Sequence, residues 1–147
     1  MNRRAFFSGM TGAALLLALP TAYAASRPQV TVYKNRACGC CGGWVAHMRA
    51  NGFEVQVTDV DDVTPYRERM GVPQALGSCH TAMVGGYAIE GHVPAADVHR
   101  LLRERPAGKG LAVPAMVPGS PGMSGAPVAY QTLLFDGKGG FKTFARH

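Results

Sequence analysis

The sequence predicts an α/β fold in which a mixed β-sheet is flanked by helices. Short stretches with apolar side chains at every second position alternate with stretches whose apolar side chains recur at helical spacing. The chain of 147 residues also contains 19 glycines and 10 prolines, many of which lie between these stretches and mark turns or helix ends. Alternation of strands and helices is typical of a sheet that helices cover.

A strand, a helix and a second strand come first. Residues 30–33 (VTVY) alternate apolar and polar side chains and include β-branched residues, so they predict a strand. A helix follows, predicted from apolar residues at helical spacing, namely Trp44, Val45 and Met48. Gly52 ends this helix, and the strict alternation of residues 53–57 (FEVQV) predicts the second strand.

A short helix and a β-hairpin are predicted in the middle of the chain. Thr64 as N-cap and Pro65 in the first turn open a helix that extends to Met70. Residues 81–84 and 87–89 then flank Gly85 and Gly86, a two-residue turn of the kind that joins antiparallel strands. The order up to this point is therefore β-α-β-α-β-β.

A third helix and a long loop follow the hairpin. The helix begins after Pro94 and ends before Pro106. Its buried face is predicted to consist of Val98, Leu101 and Leu102. Residues 106–127 are rich in proline, glycine, alanine and methionine and show little periodicity, so we expect a long ordered Pro/Gly loop.

A C-terminal β-hairpin completes the predicted fold. Residues 128–135 and 141–144 lie on either side of Asp136-Gly137, and we expect this hairpin to extend the sheet. The preceding order, β-α-β-α-β-β-α with a cysteine loop between the first strand and the first helix, matches a thioredoxin-like plan. Residues 25–147 are thus predicted to form a single domain.

The first 24 residues predict a signal peptide. Arg3 and Arg4 precede an apolar run at residues 12–19, and the small-residue site at 22–24 predicts cleavage after Ala24. An arginine pair is typical of a twin-arginine signal, although basic pairs also open general secretion signals. The apolar run is shorter than the roughly 20 residues that span a bilayer. We therefore expect a periplasmic protein without a membrane span.

The charge pattern argues against a nucleic-acid partner. The formal net charge is +6, from 15 basic and 9 acidic residues. The basic residues are scattered and form no block interleaved with aromatic side chains, which nucleic-acid binding would favour. Composition by itself names no other partner.

The four cysteines are the main candidate functional residues, and they are Cys38, Cys40, Cys41 and Cys79. Three of them lie in a stretch of only four residues inside a glycine-flanked loop, where closely spaced thiolates can fold round one ion. Two structural disulfides are the alternative for an exported chain. Soft thiolates select Cu(I), zinc or iron–sulfur clusters, although the spacing matches neither common ferredoxin pattern.

A redox dithiol is a further interpretation of the same loop. Cys38 and Cys41 form a C-x-x-C pair at the start of a predicted helix, where a thioredoxin-like fold keeps its redox cysteines. The helix N-terminus stabilises thiolates, and this favours disulfide exchange as well as metal binding. In a thiol-disulfide oxidoreductase Cys38 would attack and Cys41 would resolve, which leaves Cys40 and Cys79 unexplained.

The segment before the third strand supplies further candidate ligands. A thioredoxin-like fold normally has a cis-proline there, facing the C-x-x-C pair, whereas this chain has Ser78-Cys79-His80. The replacement predicts a four-sulfur pocket with the His80 imidazole at its edge. His92, at the end of the hairpin, is more simply an ordinary loop histidine than a ligand.

Two methionines of the Pro/Gly loop, Met116 and Met123, are the remaining candidates. A thioether is a soft, weak ligand that could reach an exposed copper ion. Packing is the simpler role for any one methionine.

Six segments of the sequence together resemble one known family. They are residues 33–44 (YKNRACGCCGGW), 52–55 (GFEV), 71–73 (GVP), 78–82 (SCHTA), 90–94 (EGHVP) and 119–123 (GSPGM). These motifs are similar to those of the CopG-like family of small exported copper-resistance proteins, long classed as a domain of unknown function. The resemblance covers nearly all of residues 25–147. Residues 115–117 (AMV) depart from the Gly-Met-Pro that is usual in the family.

The resemblance implies a function as well as a thioredoxin-like fold. It implies that copper is held by the matching cysteines, which are Cys38, Cys40, Cys41 and Cys79. It also implies a role in periplasmic copper handling, including electron transfer or interconversion of Cu(I) and Cu(II). We therefore expect Cu(I), with room for more than one ion, ahead of zinc or an iron–sulfur cluster. A periplasmic copper efflux or chaperone protein is the expected partner.

Overall fold

The computed structural model describes residues 26–147 and confirms the α/β class. The predicted signal peptide lies outside these described residues. Within residues 26–147, no helix combines the length and the apolar character that crossing a membrane requires.

Seven strands and three α-helices make up the described chain. In chain order they are β1 (Gln29–Asn35), α1 (Gly39–Ala50), β2 (Glu54–Val60), α2 (Thr64–Arg69), β3 (His80–Val84), β4 (Tyr87–Glu90), α3 (Ala95–Glu104), β5 (Gly110–Ala112), β6 (Gln131–Phe135) and β7 (Phe141–Arg146). A 3-10 helix, Gln74–Leu76, lies between α2 and β3. The order from β1 to α3 is the predicted β-α-β-α-β-β-α.

All seven strands belong to one mixed sheet with the order β2-β1-β3-β4-β5-β6-β7. The pairs β1–β2 and β4–β5 are parallel, and the other neighbours are antiparallel. The C-terminal hairpin of β6 and β7 extends the sheet, as predicted. Both faces of this sheet carry buried apolar side chains.

The turn between β3 and β4 sets the register of the hairpin. Gly85 and Gly86 have φ angles of 54° and 86°, which a two-residue hairpin turn requires and glycine adopts freely. Thr81 consequently pairs with Glu90. This register brings the residues just before β3 next to the residues just after β4.

Two apolar clusters lie on the sheet. The larger one joins the sheet to α1 and α3 and contains the fully buried Trp44, whose indole N–H donates to the Val93 carbonyl at 2.9 Å. The smaller one includes Val72, Leu76 and Phe135, with Met70 packed against it. Strand β1, before the cysteine loop, and helix α1, after it, both contribute buried side chains to the larger cluster.

Three local predictions differ from the structure. The short helix predicted up to Met70 is present as α2, but Thr64 is not its N-cap: Thr64 is the first helical residue, and its amide N–H donates to the Asp62 carboxylate at 2.9 Å. The predicted loop 106–127 contains strand β5, whose three residues are too few to show a period. The first strand of the C-terminal hairpin begins at Gln131, three residues later than predicted.

His47 links α1 to α3 through a hydrogen bond that depends on its protonation state. Its Nε2 accepts from the amide N–H of Ala95, the first residue of α3, at 3.0 Å. Burial lowers the pKa of His47 below its ordinary value of 6.5. As the pH falls, the His47 ring is protonated in the unfolded chain before it is protonated in the folded chain. The stabilisation from this hydrogen bond is therefore present above about pH 6.5 and is lost as the pH falls below it.

Replacing His47 with glutamine is expected to reduce the pH dependence of stability. Glutamine keeps a side-chain acceptor but does not titrate, so the free energy of unfolding should fall less between about pH 7 and pH 5. Urea unfolding of the metal-free protein at several pH values measures the effect. His99→Gln, which changes the neighbouring histidine of α3, is the control. Equal pH dependence of wild type and His47→Gln would contradict this role.

Candidate metal centre

Three segments at one end of the sheet carry the candidate site. Cys38 occupies the N-cap position of α1, so Cys40 and Cys41 lie in the first turn of that helix. Cys79 directly precedes β3, and His92 follows β4 by two residues. Because β3 runs antiparallel to both β1 and β4, its start meets their ends at one edge of the sheet. The three segments therefore lie side by side.

The sulfur atoms of all four cysteines converge, with every pair of Sγ atoms within 4.8 Å. Cys40 Sγ lies 3.4 Å from Cys38 Sγ and 3.9 Å from Cys79 Sγ. Cys41 is buried, and the other three cysteines are half-buried. A group of sulfur atoms that are this close together and partly shielded from solvent is suited to binding a soft metal.

A disulfide bond joins Cys38 and Cys41, whereas Cys40 and Cys79 are free thiols. The bond connects the two ends of the C-x-x-C pair, with a Cα–Cα distance of 5.6 Å. Two structural disulfides, the alternative considered from sequence, are therefore not what the structure contains. The oxidised chain keeps two thiols, and reduction supplies two more.

Cys79 also belongs to a group with two buried histidines. Its Sγ lies 3.4 Å from His80 Nδ1 and 3.1 Å from His92 Nε2. The ligand atoms of the three residues are within 4.8 Å of one another. Because Cys79 precedes the strand, the alternation of β3 does not direct its side chain away from His80. Cys79 is thus shared by the sulfur group and the histidine group.

A backbone carbonyl fixes the tautomer of His92. His92 Nδ1 lies 2.6 Å from the Pro121 oxygen, which can only accept, so Nδ1 carries the proton and donates. Burial lowers the pKa of His92, which favours the neutral ring. The free lone pair of Nε2 then faces the Cys79 sulfur. Metal-binding histidines are commonly held in this way, with the second ring nitrogen bonded to a carbonyl.

His80 is neutral for a similar reason. Burial, and after it the neighbouring His92, lowers the pKa of His80 to about 3. Its ring packs against Trp44 with centroids 4.4 Å apart and meets the His92 ring edge-on at 5.1 Å. Within the described residues, His80 Nε2 is buried without a hydrogen-bond partner. A neutral imidazole with Nδ1 toward the sulfur is a competent metal donor.

The Cys79 thiol holds its proton tightly. Burial, and then the neighbouring Cys40, raises the pKa of Cys79 to about 12. A thiol in this state is a poor nucleophile. A bound metal ion supplies the positive charge that the pocket lacks and so displaces the proton. Metal binding at Cys79 therefore requires the loss of this proton.

Residues 115–123, called the strap below, lie against both cysteine segments. An added Cβ at Gly122 would overlap the backbone nitrogen of Trp44, so the strap touches the start of α1. The Ser78 hydroxyl donates to the Ala115 carbonyl, and the Ala115 amide donates to Gly77 at 3.2 Å. The strap thereby connects α1 to the segment before Cys79.

The two candidate methionines are both on the strap, in different surroundings. Met116 is 56% exposed and follows Ala115, while Met123 is half-buried and follows Gly122. Each methionine is therefore next in sequence to a residue that contacts a cysteine segment. The structure thus brings the strap that carries both methionines to the site.

Replacing Gly122 with alanine is expected to displace the strap. Its φ of 86° costs a non-glycine residue roughly 1 to 3 kcal/mol, and the overlap with Trp44 adds to this strain. The bond that holds His92 should be lost with the displacement. Gly139→Ala is the matched control, because φ is 102° there but the added Cβ meets open space. Equal losses in urea unfolding would contradict the close packing.

His92 was not among the predicted ligands, yet the sequence contains a signal for it. A two-residue turn at Gly85-Gly86 pairs residues whose numbers are symmetrical about the turn. Extending the Thr81–Glu90 pair outward by two places Cys79 opposite His92. The hairpin register that the glycine pair predicts is therefore enough to indicate this pair.

One family model matches the part of the chain that carries Cys79. Residues 76–123, which include Cys79, both buried histidines and the strap, match a family model described as "Protein of unknown function, DUF411". No curated protein matches the chain.

Two solved structures, named "Copper resistance protein copG", Form 1 and Form 2, are similar over most of the chain. Each is 41% identical, and the alignment covers 82% of this chain and 98% of that chain, with a TM-score of 0.77. The resemblance to the CopG-like family is therefore confirmed. The chain belongs to the family of the copper resistance protein CopG.

Proposed function

We propose that this chain is a periplasmic copper-binding protein that holds Cu(I) for copper resistance and homeostasis. The observation that supports the proposal most directly is the convergence of four cysteine sulfurs within 4.8 Å. Soft sulfur donors prefer Cu(I) to hard cations such as magnesium or calcium. The names of the two similar structures supply the biological context.

The proposed ligands are the reduced forms of Cys38, Cys40, Cys41 and Cys79. Reduction of the Cys38–Cys41 disulfide takes up two electrons and two protons and gives two thiols, which lose their protons when the metal binds. Four thiolates this close can bridge more than one Cu(I), so the proposed cargo includes a small cluster. His92 would supply Nε2 to an ion that is bound by Cys79.

Three other candidates would act at the border of the site. His80 Nδ1 faces Cys79, and the strap carries Met116 and Met123 as soft, weak donors. Imidazole suits Cu(II) as well as Cu(I), so a mixed set of sulfur and nitrogen donors supports interconversion of the two states. The proposal therefore includes copper redox chemistry at this site.

Export belongs to the same proposal. A signal cleaved after Ala24 would deliver the chain to the periplasm, where captured copper passes to an efflux or chaperone protein. Mass spectrometry of the exported protein tests the cleavage. A mature chain that begins at Ala25 is the expected result.

A thiol-disulfide oxidoreductase is the second candidate function, because the Cys38–Cys41 disulfide lies at the N-terminus of α1. In that case Cys38 attacks and Cys41 resolves. A disulfide reductase assay distinguishes the two functions. Turnover that is unchanged in Cys40→Ala and Cys79→Ala would favour the oxidoreductase.

Metal content and thiol count, measured together, test the proposed function. Protein exported by its own signal from copper-treated cells is analysed for elements and titrated for thiols, with and without reductant. The expected result is copper-loaded protein that shows four thiols after the metal is removed and the chain is reduced. Fully reduced protein without copper affinity would end the proposal.

A further inference from the structure

Arg67 of α2 and Glu90 of β4 form a buried ion pair beside the segment that carries Cys79. Arg67 Nε donates to Glu90 Oε1 at 2.8 Å, and the two side chains are 10% and 0% exposed. No other ion pair within residues 26–147 is as buried on both sides. Burying two charges is costly, so such a pair is weak evidence for stability by itself.

Both members of the pair bind the same backbone unit, that of Ser78. Glu90 Oε1 accepts from the Ser78 amide N–H at 2.7 Å, and Arg67 Nη2 donates to the Ser78 carbonyl at 2.6 Å. Ser78 directly precedes Cys79. The ion pair therefore holds both the amide and the carbonyl of the residue that directly precedes Cys79.

Both hydrogen bonds of the Glu90 carboxylate go to one of its two oxygens. Oε1 takes the bonds from Ser78 and Arg67, whereas Oε2 is buried without a partner among the described residues. Buried polar atoms are usually hydrogen-bonded, so an unpartnered oxygen here calls for an explanation. The guanidinium group also lies against the backbone of Gly77, where an added Cβ would meet it at 3.4 Å.

We propose that Arg67 and Glu90 are positioning residues that set the place of the Cys79 sulfur in the metal site. They act through the Ser78 backbone and hold the sulfur near Cys40 and His92. The inference rests on the proposed copper function, since it assigns the pair a role in metal affinity. Groups that orient metal ligands in this way typically change the affinity 10- to 100-fold, so about that loss is expected without the pair.

A double-mutant cycle separates positioning from general stability. Cu(I) affinity is measured by competition with a chromophoric chelator for reduced wild type, Glu90→Ala, Cys79→Ser and the double variant. Glu90→Ala should weaken binding about 10- to 100-fold in wild type but cause no further loss when Cys79 is absent. Additive losses, or unchanged affinity in Glu90→Ala, would overturn the inference.

Three more variants keep the test decisive. Glu90→Gln retains an oxygen for Ser78 and should bind Cu(I) more tightly than Glu90→Ala. Arg67→Met replaces Glu90→Ala if that variant does not fold, and it should give the same non-additivity. Asp97→Asn alters another buried carboxylate, which accepts from the Thr132 hydroxyl at 2.6 Å, and should lower stability but not affinity.

The outcomes also distinguish this inference from the proposed function. Wild type that binds no Cu(I) would refute the copper function itself. Wild type that binds Cu(I) with an affinity insensitive to Glu90 and Arg67 would refute only their positioning role.

Discussion

Cys79→Ser is expected to lower the Cu(I) affinity of the reduced protein about 1000-fold, equivalent to roughly 4 kcal/mol. Cys79 alone belongs to both groups of candidate ligands, the four sulfurs and the pair of buried histidines. Its sulfur lies between Cys40 at 3.9 Å and His92 at 3.1 Å. A serine hydroxyl is a hard donor that does not replace a thiolate for Cu(I).

Cys40→Ser is the matched comparison for this prediction. It also removes one sulfur, but Cys40 has no part in the histidine group. The loss of Cu(I) affinity should therefore be smaller than for Cys79→Ser. Competition with a chromophoric Cu(I) chelator measures both affinities under reducing conditions. Equal losses, or a Cys79→Ser variant that binds as wild type does, would contradict the central position of Cys79.

Trp44→Ala is expected to lower the free energy of unfolding by about 3 to 5 kcal/mol, the usual cost of removing a large buried aromatic side chain. Trp44 is fully buried in the main core. Its ring packs on His80, and its N–H donates to the Val93 carbonyl. The substitution would leave a cavity and an unsatisfied carbonyl beside the candidate site.

Urea unfolding of the metal-free protein tests the prediction for Trp44. Trp44→Phe should lose less stability than Trp44→Ala, because it keeps most of the ring volume but not the hydrogen bond. Phe141→Ala is the control on the surface, since Phe141 is 58% exposed and its loss should cost less than about 0.5 kcal/mol. A Trp44→Ala variant as stable as Phe141→Ala would contradict the described core.

The sequence predicted the fold where short-range signals decide the structure. Alternation identified β1 and β2, and the glycine pair at 85–86 identified the β3–β4 hairpin with its register. Strand β5 escaped prediction because its place depends on tertiary contacts. Gly110 pairs with Ala88, whose backbone approaches so closely that a Cβ at 110 would overlap it. Such a contact leaves no periodic pattern in three residues.

The candidate site was predicted in part for the same physical reasons. The C-x-C-C spacing brings three sulfurs together within one turn of chain, and the thioredoxin-like plan placed Cys79 opposite them. The proposed roles of His92 and Glu90 depend on burial and on partners such as Pro121 and Ser78, which are distant in sequence. Sequence patterns report spacing along an element, and they do not report which buried group meets which carbonyl.

The copper K-edge X-ray absorption spectrum of the loaded protein would test most directly whether cysteine sulfur holds the metal. The four converging sulfurs predict a first coordination shell dominated by sulfur, with an edge typical of Cu(I). The sulfur contribution should decrease in Cys79→Ser. A first shell of nitrogen and oxygen alone, with no change on removal of Cys79, would contradict a cysteine-bound copper site.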